Sequence, residues 1–231
     1  MITIMQLDPW VGPDRISSWL SDVPTQLVDL SHADVPSLSA LGDGLIVLGG
    51  RHNALDEVAA PWLGALKQLL IDARTAELPT LGICLGHQVA AVAFGGEVEL
   101  GTAHEEGPFA VTKTAAGRTD PLFEALPDVF LTAQSHYDCV CTLPPGATAL
   151  ASSKLCAIQA FRSGSFVGVQ FHPEASPDTM ARWAMGERES SGAECVLEGE
   201  RMRDLMVPRD EEIALYGRTI VRAFAQVIAM N

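Results

Sequence analysis

The chain has 231 residues, 48% hydrophobic and 19% charged, with a formal net charge of −14. That composition builds a packed core and excludes a disordered chain. The acidic surplus repels nucleic-acid phosphate and anionic lipid, so neither a nucleic acid nor a membrane is expected as a partner.

No apolar run approaches the roughly eighteen residues of a membrane helix. The opening MITIMQLDPW lacks a positive n-region ahead of an apolar h-region, so no signal peptide is read there and a cytoplasmic protein is expected. The five cysteines are Cys84, Cys139, Cys141, Cys156 and Cys195. An odd count without an export signal reads as free thiols in a reducing compartment. Cys139-Val-Cys141 has the wrong spacing for a zinc knuckle and no CxxC partner. It reads as two strand residues facing one side, and no metal site is expected.

In chain order, 2–7 is an apolar first strand, 13–20 a helix start, 26–30 a second strand and 44–48 a third, which stops at Gly49-Gly50. Residues 61–76 carry Leu63, Leu66, Leu69, Leu70 and Ala73 at helical spacing, with Pro61 suited to the first helical position. Residues 79–83 make a fourth strand, followed by a turn at Cys84 and a small-residue helix over 86–94. Fully apolar strands alternating with helices imply a parallel sheet covered on both faces.

After residue 96 the pattern changes to short runs at 109–114, 129–133, 147–151, 156–161 and 166–171, read as β-hairpins added to the sheet. Ser176 is a fair N-cap for a helix with Pro177 in its first turn. Residues 186–212 are polar and charged and read as a surface insertion or a linker. A closing amphipathic helix over 211–229 carries Ile213, Tyr216, Ile220, Phe224 and Val227. No break resembles a domain boundary, so 1–231 reads as one domain, with a C-terminal helical extension over about 176–231.

Within this frame, Gly82-Ile-Cys84-Leu-Gly86 sits where a strand gives way to a helix. A nucleophile on so sharp a turn needs small residues two positions to either side. The helix behind it favours a thiolate, and the Leu85 amide is placed to meet an oxyanion. The elbow alone also fits a plain turn. A thiol nucleophile wants a histidine base oriented by a third group. His172 ends an apolar strand in Gly168-Val-Gln-Phe-His172-Pro-Glu174, where Glu174 can return to its imidazole. His87, on the outgoing helix, is expected to point away. In a parallel sheet the strand C-terminal ends share one edge, so Cys84 and His172 are expected to meet there.

Gly82-Ile-Cys84-Leu-Gly86-His-Gln88 together with His172-Pro-Glu174 resembles the class I (triad) glutamine amidotransferase family. Residues 44–50 resemble that family's oxyanion strand. Gln134-Ser135-His136-Tyr137-Asp138 resembles its glutamine-binding turn, nearest to the form in GMP synthetase amidotransferase domains. The resemblance implies an α/β fold of flavodoxin-like type: an open, mostly parallel central sheet with helices on both faces, plus the hairpins. It implies no cofactor. Cys84 attacks the glutamine side-chain amide, His172 moves the proton, and Glu174 orients His172. The amides of Gly50 and Leu85 hold the oxyanion, and Gln88 with the backbone near Ser135 and Tyr137 grips the amino-acid end. His136 shapes the pocket. Ammonia then passes to a separate synthase.

The chain departs from the family pattern at Arg51-His52, where Pro-Gly is common, and at Tyr137, where a small residue is common. Arg51 then either contacts a substrate carboxylate or is solvated. With no synthase domain in sight, a second expectation is hydrolysis of a γ-glutamyl peptide or amine by the same Cys84, His172 and Glu174. A third is a non-catalytic binding module, against which the complete set of three argues.

Overall fold

The computed structural model describes residues 1–186 and 193–230. Eleven strands and six α-helices follow in chain order: β1 (Ile2–Gln6), α1 (Arg15–Trp19), β2 (Thr25–Asp29), β3 (Gly44–Val47), α2 (Leu63–Thr75), β4 (Thr80–Ile83), α3 (Leu85–Ala93), β5 (Glu97–Glu99), β6 (Glu105–Lys113), β7 (Val129–His136), β8 (Cys139–Thr142), β9 (Thr148–Ser152), β10 (Ala160–Ser163), β11 (Phe166–Val169), α4 (Pro177–Met185), α5 (Ala193–Met206) and α6 (Asp210–Met230). Nine strands form one sheet in the order β2-β1-β3-β4-β11-β10-β9-β6-β7, and β5 pairs with β8 in a second. The five strands from β2 to β11 are parallel to one another, and the four beyond β11 are antiparallel.

Burial explains why the parallel half reads as unbroken apolar runs. Every residue of β1, β3, β4 and β11 is buried, because helices cover both faces. Alternate side chains go to opposite sides. Ile4, Ile46, Ile83 and Val169 join Ile16 and Leu20 of α1 and Ile220, Val221 and Phe224 of α6. Met5, Leu45, Val47 and Phe166 join Leu63, Leu66, Leu69 and Leu70 of α2 and Val89 of α3. The edge strand β2 is partly exposed along its length, as an uncovered edge should be.

Three sequence expectations shift. The run at 156–161 becomes a strand only from Ala160. Helix α2 begins at Leu63, so Pro61 stands just outside it. The stretch read as a surface insertion or linker contains α5, whose Met202 and Met206 are buried beside Ala133, Met180 and Ile213. Its apolar residues are too sparse for a helical stripe, so polarity masked the helix. The part of that stretch over 187–192 lies outside the described residues.

Among the described residues, Cys195–Met230 includes an 18-residue window with a mean hydropathy of 1.3, long and apolar enough to cross a bilayer. Arg218, Thr219 and Arg222 interrupt that window in the sequence, which hides it from a search for continuous runs. The apolar stripe of α6, including Ile220 and Phe224, packs into the core beside the sheet.

Candidate functional site

Parallel strands deliver their ends to one rim. Asp8 follows β1, Gly49 and Gly50 follow β3, Cys84 follows β4, and His172 follows β11. Register fixes their relative heights: Val47 lies beside Gly82, and Ile83 beside Val169. The Cys84 amide donates to the Val169 carbonyl at 2.8 Å, and the His172 amide donates to the Ala133 carbonyl at 2.9 Å.

Cys84 takes φ +50°, ψ −103°, a conformation that costs a non-glycine residue about 1–3 kcal/mol. The turn is held by close packing on all sides. A Cβ on Gly86 would stand 2.4 Å from the Val47 carbonyl oxygen, and one on Gly82 would stand 2.9 Å from the Gly86 carbonyl. The two flanking glycines therefore let α3 sit directly on β3 and β4. Cys84 caps the N-terminus of α3, where backbone amides and the helix dipole present positive charge.

The His172 side chain is 3% exposed, and its Nδ1 is 2.8 Å from Oε1 of Glu174, itself fully buried. The ring and Cys84 flank Gly49 together: a Cβ there would stand 2.8 Å from His172 Cε1 and 3.4 Å from Cys84 Cβ. With Nδ1 engaged by Glu174, Nε2 is the nitrogen left to exchange a proton with the sulfur. Burial opposes charge on this imidazole. Interaction with Glu174 and with the Cys84 sulfur outweighs it and pushes the His172 pKa up from 6.5 to about 10. Oε2 of Glu174 has no hydrogen-bond partner among the described residues, so His172 is the group that answers this carboxylate's charge.

Two further groups touch this pair, and neither was read as a site residue from the sequence. The Gln170 side-chain amide, fully buried, donates to Cys84 Sγ at 3.7 Å. Its Oε1 accepts from Gln88 Nε2 at 3.1 Å, and the same nitrogen of Gln88 donates to the Asp138 carbonyl at 3.1 Å. Trp183 of α4 lies with its ring 4.6 Å from that of His172 and donates its Nε1–H to the Trp10 carbonyl at 3.0 Å. Gln170 was legible only as strand-end polarity two residues before His172. Trp183 left no signal, because its role depends on where α4 packs.

The expected residues come together around one cavity of about 270 Å³, lined by Cys84, His172, Gly50, Gln88, Ser135, His136 and Tyr137. Cys84 Sγ lies 4.0 Å from the Ser135 carbonyl. Leu85 begins α3, and its side chain packs where a Cβ on Gly50 would stand, 3.0 Å away. His136 is committed on both nitrogens, to the Asp138 carbonyl at 3.1 Å and to buried Glu105 at 3.1 Å. These two contacts tie the end of β7 to β6 and to the turn that follows. Tyr137 is 56% exposed and stacks on His104 with centroids 4.3 Å apart, so it lies at the cavity mouth. His87 points away, as expected. It is fully buried against Phe161 of β10, and burial lowers its pKa to about 3, so it is neutral.

Arg51 is neither simply solvated nor open to a substrate carboxylate alone. Its Nε and Nη2 grip the two oxygens of fully buried Asp8 at 2.6 and 2.7 Å, and its own amide adds a third bond at 3.1 Å. Burial opposes ionisation of Asp8, but these bonds and the Trp10 amide hold its carboxyl below the usual range. The clamp ties Arg51, just after Gly49-Gly50, to the end of β1. Among the described residues, no cluster of three or more His, Cys, Asp or Glu side chains offers a metal site.

A thiol on a strained strand-to-helix turn, beside an imidazole that a buried carboxylate holds, is the geometry of a thiol-dependent hydrolase. The chain belongs to the glutamine amidotransferase class-I family, whose model matches residues 22–184. It is 38% identical over 135 residues to a glutamine-hydrolysing GMP synthase subunit from Methanocaldococcus jannaschii, covering 58% of this chain and 65% of that one. It is 40% identical over 134 residues to the protein of the same name from Archaeoglobus fulgidus, covering 57% and 66%. The matched stretch thus spans just under two thirds of either relative. A glutamine amidotransferase of Thermotoga maritima shares the fold with a TM-score of 0.83 at 24% identity, covering 96% of this chain and 97% of that one. A glutamine amidotransferase of Methylobacillus flagellatus gives 0.79 at 24% identity, covering 97% and 94%.

Proposed function

We propose that this class I glutamine amidotransferase hydrolyses the glutamine side-chain amide to glutamate and ammonia, and that a separate synthase consumes the ammonia. Cys84 Sγ attacks the amide carbon, and the amides of Gly50 and Leu85 receive the oxyanion. His172 hands its proton to the leaving nitrogen, and Glu174 keeps the imidazole charged and oriented. Water then adds to the glutamyl thioester, the C–S bond breaks, and the thiol is restored. Gln88, Ser135 and Tyr137 take the amino-acid end of the substrate, and His136 braces them.

The observation that carries this reading is the Glu174–His172 contact at 2.8 Å with Cys84 beside that imidazole in one cavity. Relatives named as one subunit of a glutamine-hydrolysing GMP synthase support a partner on a separate chain. Five free cysteines and the acidic balance support a cytoplasmic site of action. We read 1–231 as one domain whose helices from about 176 onward extend it, supported by the core that Ala133 of β7 shares with Met180, Met202 and Met206.

Glutamate release from glutamine by purified protein tests the reading, with Cys84→Ala as control. The wild type releases glutamate and the variant does not. Equal turnover by the two proteins would defeat the assignment.

A further inference from the structure

Glu105 is fully buried, and a buried carboxylate persists only where the groups around it compensate for lost water. It opens β6 directly opposite His136, the last residue of β7, so the two side chains stand on one face of the antiparallel pair. Glu106, next along β6, turns the other way, to His104. Oε2 of Glu105 meets His136 Nε2 at 3.1 Å and accepts from the Gln159 amide at 2.5 Å, while Oε1 has no hydrogen-bond partner among the described residues. Gln159 is held in turn by Gln134, whose Nε2 donates to its Oε1 at 2.9 Å. The steps assigned to Cys84 and His172 use none of these groups.

The other nitrogen of His136 shows what this carboxylate does. Nδ1 lies 3.1 Å from the Asp138 carbonyl, which can only accept, so that bond exists only while Nδ1 carries a proton. A carboxyl group against Nε2 permits this in both of its forms. The carboxylate accepts from a doubly protonated ring, and the carboxylic acid donates to a bare Nε2. A neutral group there that could only accept would draw the single N–H of a neutral ring to Nε2. Nδ1 would then face the carbonyl lone pair to lone pair. The same Asp138 carbonyl accepts from Gln88 Nε2 at 3.1 Å, and Gln88 reaches on to Gln170, which donates to Cys84 Sγ at 3.7 Å. One carbonyl therefore joins the His136 ring to the cavity wall beside the nucleophile.

We propose that Glu105 is a positioning residue for glutamine binding. It keeps a proton on His136 Nδ1, and the Nδ1–H bond holds the Asp138 carbonyl where it meets Gln88. Gln88 and the turn over 135–138 take the amino-acid end of the substrate, so the inference rests on the function proposed above. Glu105 acts through His136, which lines the cavity. Its effect therefore falls on the grip of the substrate and not on the chemical step.

Glu105→Gln tests this with little change of shape. The Gln159 amide keeps an oxygen at the Oε2 position, so the new side chain offers His136 Nε2 an acceptor with no charge and no proton to give. NMR of the histidine ring nitrogens, with His136→Asn identifying the His136 signals, reads where the proton sits. Nδ1 is expected to be protonated in the wild type and bare in Glu105→Gln. KM for glutamine is expected to rise roughly 3- to 10-fold in that variant, the worth of one hydrogen bond, with kcat within about twofold. His136→Asn keeps a side-chain N–H near the place of Nδ1 and needs no carboxylate to orient it. Adding Glu105→Gln to His136→Asn should therefore leave KM where His136→Asn alone puts it. A bare Nδ1 in the wild type overturns the inference, and this spectrum decides by itself if Glu105→Gln does not fold. A KM unmoved in folded Glu105→Gln, or a further rise of the same size in the double variant, overturns it too. Each of these outcomes leaves glutamine hydrolysis standing. No turnover of glutamine by the wild type overturns both readings.

Discussion

The side-chain amide of Gln170 points its N–H at the sulfur of Cys84, 3.7 Å away, while its oxygen accepts from Gln88. One buried residue thus joins the nucleophile to a residue of the expected substrate-binding side. A hydrogen bond to sulfur strengthens as the sulfur takes on charge, so this contact is worth more as the thiol loses its proton.

Gln170→Leu keeps the approximate volume and removes both bonds. The expected result is a fall of roughly tenfold in kcat for glutamine, with a rise in KM from the loosened Gln88. A merely structural residue would lower thermal stability alone. The alkylation rate of Cys84 by iodoacetamide across pH separates the two cases, because loss of a donor to the sulfur changes its profile.

Glu174 should govern the alkaline side of both stability and activity. The folded protein binds the His172 proton more tightly than a free imidazole does, with a pKa raised from 6.5 to about 10. That contribution to stability is full below pH 6.5 and is lost as pH rises from there through 10. Urea denaturation of the wild type between pH 6 and pH 10 should show the decline, and Glu174→Gln should flatten it. The alkaline limb of kcat/KM should move to lower pH in the same variant.

The turn at Cys84 depends on contacts with backbone that cannot yield. Gly86→Ala drives a methyl group to 2.4 Å from the Val47 carbonyl oxygen. A destabilisation of about 1–3 kcal/mol is expected in urea melts. Gly64→Ala in α2 is the contrast, since its nearest neighbour is a flexible Glu57 oxygen at 3.6 Å. That change should stabilise the protein by about 0.5–1 kcal/mol through helix propensity.

Much of the fold and site was legible in the sequence. The parallel core was readable because β1, β3, β4 and β11 are covered on both faces and leave continuous apolar runs. The elbow was readable because Gly82 and Gly86 are small for a local reason. Helix α5 was not, because Met202 and Met206 bury single side chains from a polar sequence and leave no periodic stripe. Nor was the Asp8–Arg51 clamp, which joins residues 43 positions apart across two strand ends. Trp183 reaches His172 only through the docking of α4, a tertiary event with no local pattern.

Cys84, alone among five cysteines, is the sulfur proposed to attack a glutamyl carbon. A chloroketone analogue of glutamine, followed by peptide mass spectrometry, tests it most directly. One adduct per chain is expected, on the peptide that carries Cys84, formed more slowly when glutamine is present and not formed in His172→Ala. An adduct on exposed Cys141 or on Cys195 with Cys84 unmodified would contradict it.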